Sequence, residues 1–134
     1  MKLEGGCLCG KIRYRIDAPL IDAGYCHCSL CQRSSGTPVM AWLTIPFGGF
    51  TYTRGQTGVY QSSERNQREH CSCCGTQLVF RQSHEPRTID VTLCSLDDST
   101  AVKPQYHIWV KDKVPWLLIK DDLPQFDDSG PDTN

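Results

Sequence analysis

The stretch Cys71-Ser72-Cys73-Cys74-Gly75-Thr76 decides how this chain is read. Cys71 and Cys74, two residues apart and followed by Gly75, form the kind of short loop that places two thiolates on one side of a Zn²⁺ ion. Gly75 supplies the residue type that a tight turn accepts most easily. Two thiolates do not fill a tetrahedral ion, so a second pair is needed, and Cys7-Leu8-Cys9-Gly10 offers one with its own following glycine. Cys7, Cys9, Cys71 and Cys74 together make a closed four-thiolate site, which pins the N-terminal segment to the middle of the chain. A third cluster, Cys26-His27-Cys28-Ser29-Leu30-Cys31, supplies only three thiolates: Cys26, Cys28 and Cys31. Closed sites hold folds together, whereas three-ligand sites keep a position for chemistry. A fourth ligand from His27, His70, Cys73 or Cys94 would make the triplet structural as well. Without one, the fourth place falls to water or a substrate thiol.

The remaining sequence frames these clusters. The chain has 134 residues with 39% hydrophobic content, which suits one domain with a small core that gains from a metal staple. The formal charge is −1, and no basic run or stripe is present, so nucleic-acid binding is not expected. No apolar leader precedes Cys7, and no segment approaches the roughly 20 apolar residues of a membrane helix. A cytoplasmic, reducing compartment is expected, where clustered cysteines serve as metal ligands rather than disulfides.

Short β-like runs dominate. Ile12, Tyr14 and Ile16 alternate with Lys11, Arg13 and Arg15, as do Ile89, Val91 and Leu93 with Thr88, Asp90 and Thr92. Further strands are expected at 39–45, 50–52, 58–60, 77–80 and 106–110. One short helix is expected at 29–33, with Ser29 as its N-cap. The expectation is a single mainly β domain over 1–126 and a flexible acidic tail over 127–134. Cys73 reads as an exposed thiol beside the closed site, Cys94 as a core residue, and His107 as a packed or hydrogen-bonded histidine rather than a base.

Taken in order, Gly5-Gly6-Cys7-Leu8-Cys9-Gly10, Cys26-His27-Cys28-Ser29-Leu30-Cys31-Gln32-Arg33 and Cys71-Ser72-Cys73-Cys74-Gly75-Thr76 resemble the glutathione-dependent formaldehyde-activating enzyme family, also called the centromere protein V family. Later segments agree: Ser95-Leu96-Asp97-Asp98, His107-Ile108-Trp109-Val110, Pro115-Trp116 and Asp121-Asp122-Leu123-Pro124-Gln125-Phe126. The resemblance implies the zinc-bearing β-tent fold of antiparallel sheets with short helical turns. It implies two Zn²⁺, one structural on Cys7, Cys9, Cys71 and Cys74 and one catalytic on Cys26, Cys28 and Cys31. It implies a carbon–sulfur lyase whose partners are a small-molecule thiol, glutathione, and an aldehyde, formaldehyde. Arg33, Arg54 and Arg68 are the candidates for glutathione carboxylates, since arginine pairs with carboxylates bidentately. The competing reading is a non-catalytic zinc-stapled module that binds a partner or senses thiols or metals.

Overall fold

Strand β4 (Met40–Pro46) shows how the fold is organised. Its residues alternate between two covered faces, with Leu43 and Ile45 fully buried in the main core while Trp42 and Thr44 are buried on the opposite side. Strand β9 (Thr88–Thr92) does the same, with Ile89 and Val91 in the core and Asp90 on the other face. A sheet strand turns successive side chains to opposite faces. Here both faces are therefore occupied, one by the core and one by a cleft.

The computed structural model describes residues 1–131. Among these residues ten strands, one short α-helix and three 3₁₀ turns are formed. The others are β1 (Lys2–Gly6), β2 (Arg13–Asp17), β3 (Asp22–Cys26), β5 (Phe50–Arg54), β6 (Gly58–Gln61), β7 (Asn66–His70), β8 (Gln77–Gln82) and β10 (His107–Ile108), with helix α1 over Ser29–Ser35. A three-stranded sheet runs β1-β2-β5, and a seven-stranded sheet runs β10-β3-β4-β9-β8-β7-β6. All pairings are antiparallel except β10 on β3, which is parallel. The expected mainly β architecture is what forms.

Tyr14 and Ile16 of β2 enter the core that lies against β4, β8 and β9, and the Tyr14 hydroxyl shares a 2.7 Å hydrogen bond with Ser95 Oγ. Burial pushes the Tyr14 phenol up to about 12. Glu69 of β7 is buried but not alone: Arg81 Nε donates at 2.7 Å, Gln67 Nε2 at 2.9 Å and the Tyr52 hydroxyl at 2.7 Å. A buried carboxylate is tolerable only with such a complete set of donors.

Several local expectations need correction. The cap of α1 is Cys28, not Ser29: the Cys28 sulfur accepts the Cys31 amide at 3.3 Å, so a metal-ligand side chain performs the capping. The strand expected over 106–110 pairs only at His107 and Ile108, because Trp109 turns to a left-handed φ of 55° and ends it. Trp109 is held there by its amide, which donates to the Asp128 carbonyl at 2.9 Å. Cys94 sits in a 3₁₀ turn (Leu93–Ser95) and is exposed rather than in the core. Strands β1, β3 and β7 have no counterpart among the expected runs. Of the expected acidic tail, Asp128 makes an ion pair with Lys111 at 2.8 Å, and residues 132–134 lie outside the described residues.

Candidate metal centres and the adjoining cleft

Two turns of similar construction bring four sulfurs together. In the first, Gly10 donates its amide to the Cys7 carbonyl at 3.2 Å and Ile12 donates to Cys7 Sγ at 3.2 Å. In the second, Gly75 donates to the Cys71 carbonyl at 2.8 Å and Cys74 donates to Cys71 Sγ at 3.4 Å. Gly10 and Gly75 take φ of 80° and 82°, a conformation costly for residues with a Cβ. The Leu8 amide bonds Thr76 Oγ1 at 3.1 Å and ties one turn to the other.

The four sulfurs of Cys7, Cys9, Cys71 and Cys74 lie within 4.8 Å of one another, with Cys7–Cys9 at 3.6 Å and Cys9–Cys71 at 3.8 Å. A tetrahedral ion with Zn–S bonds of about 2.3 Å separates its sulfurs by about 3.8 Å. The cluster has that size, and it joins the β1–β2 connection to the β7–β8 connection. Cys7 and Cys71 are buried in the main core, so metal and core reinforce each other. Cys73 faces solvent and takes no part; its sulfur lies 3.3 Å from Lys11 Nζ.

The triplet is built differently. Cys26 ends β3, Cys28 caps α1 and Cys31 is buried in its first turn. Their three sulfurs also lie within 4.8 Å of one another, and among the described residues no histidine, carboxylate or further cysteine joins them. His27, His70, Cys73 and Cys94, each a candidate fourth ligand by sequence, are not in the group. Crowded thiols without a cation cannot share negative charge evenly. Hydrogen bonds from Cys26 and Cys31 hold the Cys28 thiol down to about 2, while the same contacts, with burial, push Cys26 far up. A divalent cation removes that conflict, because a coordinated thiol is deprotonated outright. The donor set and spacing therefore fit Zn²⁺ at both clusters.

Between the triplet's ligands, His27 is buried and points away into a hydrogen-bonded row. Its Nε2 lies 2.8 Å from His107 Nδ1, and His107 Nε2 lies 2.9 Å from Asp121. An ionised Asp121 only accepts, so His107 Nε2 donates to it. With one proton per ring, His107 Nδ1 then accepts from His27 Nε2, and His27 Nδ1 is left as a buried acceptor with no partner. Burial, and then the neighbouring His107, hold the His27 imidazole down to about 4, while the bond from His107 lowers the Asp121 carboxyl. The backbone is fixed from the same side: His27 N donates to the Ile108 carbonyl at 3.1 Å, and Gln32 Nε2 bonds the His27 and Asp112 carbonyls at 2.7 and 3.0 Å. β10, α1 and the segment reaching Asp121 thus hold the triplet loop.

Cys26, Cys28 and Cys31 form part of the wall of a cleft of about 340 Å³. Its other walls include Trp42, Phe80, Tyr106 and Trp109, with Ser62, Ser63 and Asn66 adding polar groups. Arg68 also lines it: the guanidinium stacks 4.9 Å from the Phe80 ring centroid, donates from Nη1 to Ser34 Oγ at 3.2 Å, and sets Nη2 3.8 Å from Cys31 Sγ. Of the three arginines singled out by sequence, the structure brings only Arg68 to the triplet. Arg33 lines neighbouring depressions beside α1, and Arg54 ends β5 in the smaller sheet. The aromatic wall went unnoticed in the sequence because Trp42 and Phe80 sit inside runs that read as ordinary strand core. The period-two parity of β4 is the one signal that places Trp42 opposite Leu43 and Ile45.

Comparison with known proteins places this mainly β domain in a family. The chain matches the glutathione-dependent formaldehyde-activating enzyme family over residues 2–112 and belongs to that family. A Halomonas elongata protein assigned as a glutathione-dependent formaldehyde-activating enzyme is 25% identical over 129 residues, covering 90% of this chain and 82% of that protein. A Schizosaccharomyces pombe protein described as an uncharacterized lyase is 33% identical over 86 residues, 58% of this chain and 56% of that protein. The crystal structure of a Rhodobacter sphaeroides protein aligns with a TM-score of 0.61 at 22% identity, covering 76% of this chain and 92% of that one, a likeness of fold. Among the described residues no helix is long and apolar enough to cross a membrane.

Proposed function

We propose that the protein is a zinc-dependent carbon–sulfur lyase that joins a thiol, such as glutathione, to formaldehyde or a related aldehyde. In this reading Cys7, Cys9, Cys71 and Cys74 hold a structural Zn²⁺, and Cys26, Cys28 and Cys31 hold a catalytic one. The observation that carries it is the triplet's position on the wall of a cleft, with no fourth protein ligand gathered to it among the described residues. Family membership supports the lyase class. A non-catalytic module would be favoured by a fourth protein ligand on the triplet.

In the reaction, a bond forms between the thiol sulfur and the aldehyde carbon, the carbonyl π pair moves to oxygen, and the thiol proton ends on that oxygen. The product is a hydroxyalkyl thioether, and nothing is lost. A Zn²⁺ on the triplet would supply Lewis acidity, favouring a thiolate over a thiol or polarising a carbonyl oxygen. The chain's own residues do the rest. The Arg68 guanidinium beside Cys31 Sγ offsets part of the charge of three thiolates and can pair with a substrate carboxylate. The aromatic walls limit water around the reacting groups. The His27–His107–Asp121 row fixes the ligand loop, as outer partners of metal ligands commonly do. Arg33 and Arg54 receive no role in this reading. A reducing compartment such as the cytoplasm suits clusters that need free thiols.

The test is exchange between glutathione and its hydroxymethyl adduct, followed by NMR against the uncatalysed background. Zinc-loaded wild type is expected to accelerate exchange, and a folded Cys28→Ser variant is not. No acceleration by the fully zinc-loaded protein rejects the reaction with glutathione.

A further inference from the structure

Arg68 sits very near the reacting end of the cleft. Its Nη2 is 3.8 Å from Cys31 Sγ, and two contacts favour that placement: Nη1 donates to Ser34 Oγ and the guanidinium stacks on Phe80. A carboxylate that pairs with Arg68 must therefore lie close to whatever sulfur or oxygen meets the triplet. In glutathione a whole glycyl peptide unit separates the cysteinyl residue from its nearest carboxylate, and its other carboxylate lies farther still. Among the described residues no second Lys or Arg lines the cleft, while Asp90 and Asp112 both do. Besides the polar Ser62, Ser63 and Asn66, the cleft walls carry several apolar rings: Trp42 and Phe80 meet edge to face at 6.4 Å, and Trp109 is held against the cleft in a strained left-handed backbone. Bulky residues persist in that conformation only where the surroundings hold them there, and such positions cluster at ligand sites.

Resting on the lyase reading above, we infer that the thiol this cleft prefers is a compact sulfanyl carboxylate. Its carboxylate stands one or two carbons from the sulfur and pairs with Arg68. Its aromatic or branched apolar body packs on Trp42, Phe80 and Trp109. Arg68 is the residue that sets this specificity, by reading the distance between thiol and carboxylate.

The inference is tested by isothermal titration of the zinc-loaded protein with three thiols: 2-sulfanyl-3-phenylpropanoate, its neutral primary amide, and glutathione. The acid is expected to bind at least about tenfold more tightly than either of the others, the range of one charge-assisted pair. In Arg68→Gln, with zinc content and circular dichroism unchanged, the acid is expected to lose its advantage and the acid-to-amide affinity ratio to fall to near one, whatever shift the two thiols share. Glutathione binding as tightly as the acid overturns the inference, as does an acid-to-amide ratio near one in wild type, which needs no variant. An acid that keeps its advantage in Arg68→Gln also overturns it. Adduct exchange with formaldehyde is followed on the same samples. If the binding order holds but no thiol is accelerated, the lyase reading fails and the specificity inference stands. If glutathione is the best bound and is accelerated, the lyase reading stands and the inference fails.

Discussion

In the proposed function the two cysteine clusters use the same ligand atoms for opposite purposes, and their surroundings differ in a way that supports this. Cys7, Cys9, Cys71 and Cys74 come from two connections far apart in sequence and close four positions at once, beside Ile12, Leu78 and Val91 of the core. Cys26, Cys28 and Cys31 come from one turn of chain, close only three, and lie among Trp42, Phe80, Tyr106, Ile108 and Trp109 on the other face of the seven-stranded sheet. A four-ligand cluster made from distant segments acts as a cross-link, and its binding energy is folding energy. A three-ligand cluster made from one local loop costs the fold little when its metal is absent. In this proposal the difference between staple and reagent is set by where the ligands come from in the sequence as much as by their number.

The largest effect that could break this contrast is loss of the staple. Cys71→Ser or Cys7→Ser is expected to leave the domain unfolded at room temperature, since structural zinc contributes about 10–16 kcal/mol in small zinc domains and whole domains are stable by only about 5–15. Circular dichroism and a thermal melt check it; a native spectrum from either variant breaks the comparison. Next in size, Arg81→Met removes the strongest partner of buried Glu69 and is expected to cost about 3 kcal/mol by urea unfolding, close to the cost of stranding a buried charge. Arg81 and Glu69 alternate with the cleft-lining Phe80 and Arg68 and face the other side of the sheet, so zinc content should stay the same. Cys28→Ser is expected to lose one Zn²⁺ and the exchange activity while lowering the melting temperature by only a few degrees. Collapse equal to that of Cys71→Ser would make the triplet a second staple.

The smallest effect concerns the surface. Arg13 and Asp97 form an exposed bidentate pair, with Nη1 at 2.8 Å from Oδ1, and the Arg13 partner holds the Asp97 carboxyl below its usual range. A carboxyl with a depressed folded value binds fewer protons folded than unfolded. Its stabilisation is therefore present above the ordinary aspartate value near 3.9 and fades as pH falls through the lower folded value. Asp97→Asn is expected to cost at most about 1 kcal/mol at neutral pH and to remove that acid-limb contribution, read from urea midpoints across pH. A much larger loss would contradict the reading of this pair as a weak surface interaction.

Much of this was legible before any coordinates, for identifiable reasons. Cysteine pairs and their glycines are local signals, and Gly75 and Gly10 turn as their positions in the sequence imply. The alternation in β2 and β9 exposes a two-faced sheet directly. What was hidden is whatever depends on neighbours distant in sequence. Strand β7, Asn66–His70, carries no apolar residue because its inward face is Gln67 and Glu69, satisfied by Arg81 and Tyr52 from other strands. Strand β3 reads as weak because Ala23 and Gly24 are small where Tyr106 packs closely. The choice of Arg68 over Arg33 and Arg54 follows from the register that sets Arg68 opposite Phe80, which no local pattern encodes.

The most direct test of the division between staple and reagent is the metal content of the purified protein together with the ligand shell of each metal, read by elemental analysis and zinc-edge X-ray absorption. Two Zn²⁺ per chain are expected. With four sulfurs on one ion and three sulfurs plus one lighter atom on the other, wild type should show an average of about 3.5 sulfurs and half a lighter atom per zinc, and Cys28→Ser should retain one zinc with four sulfurs. A single zinc per chain after zinc is added back, or two ions each with a full protein shell, would contradict the account.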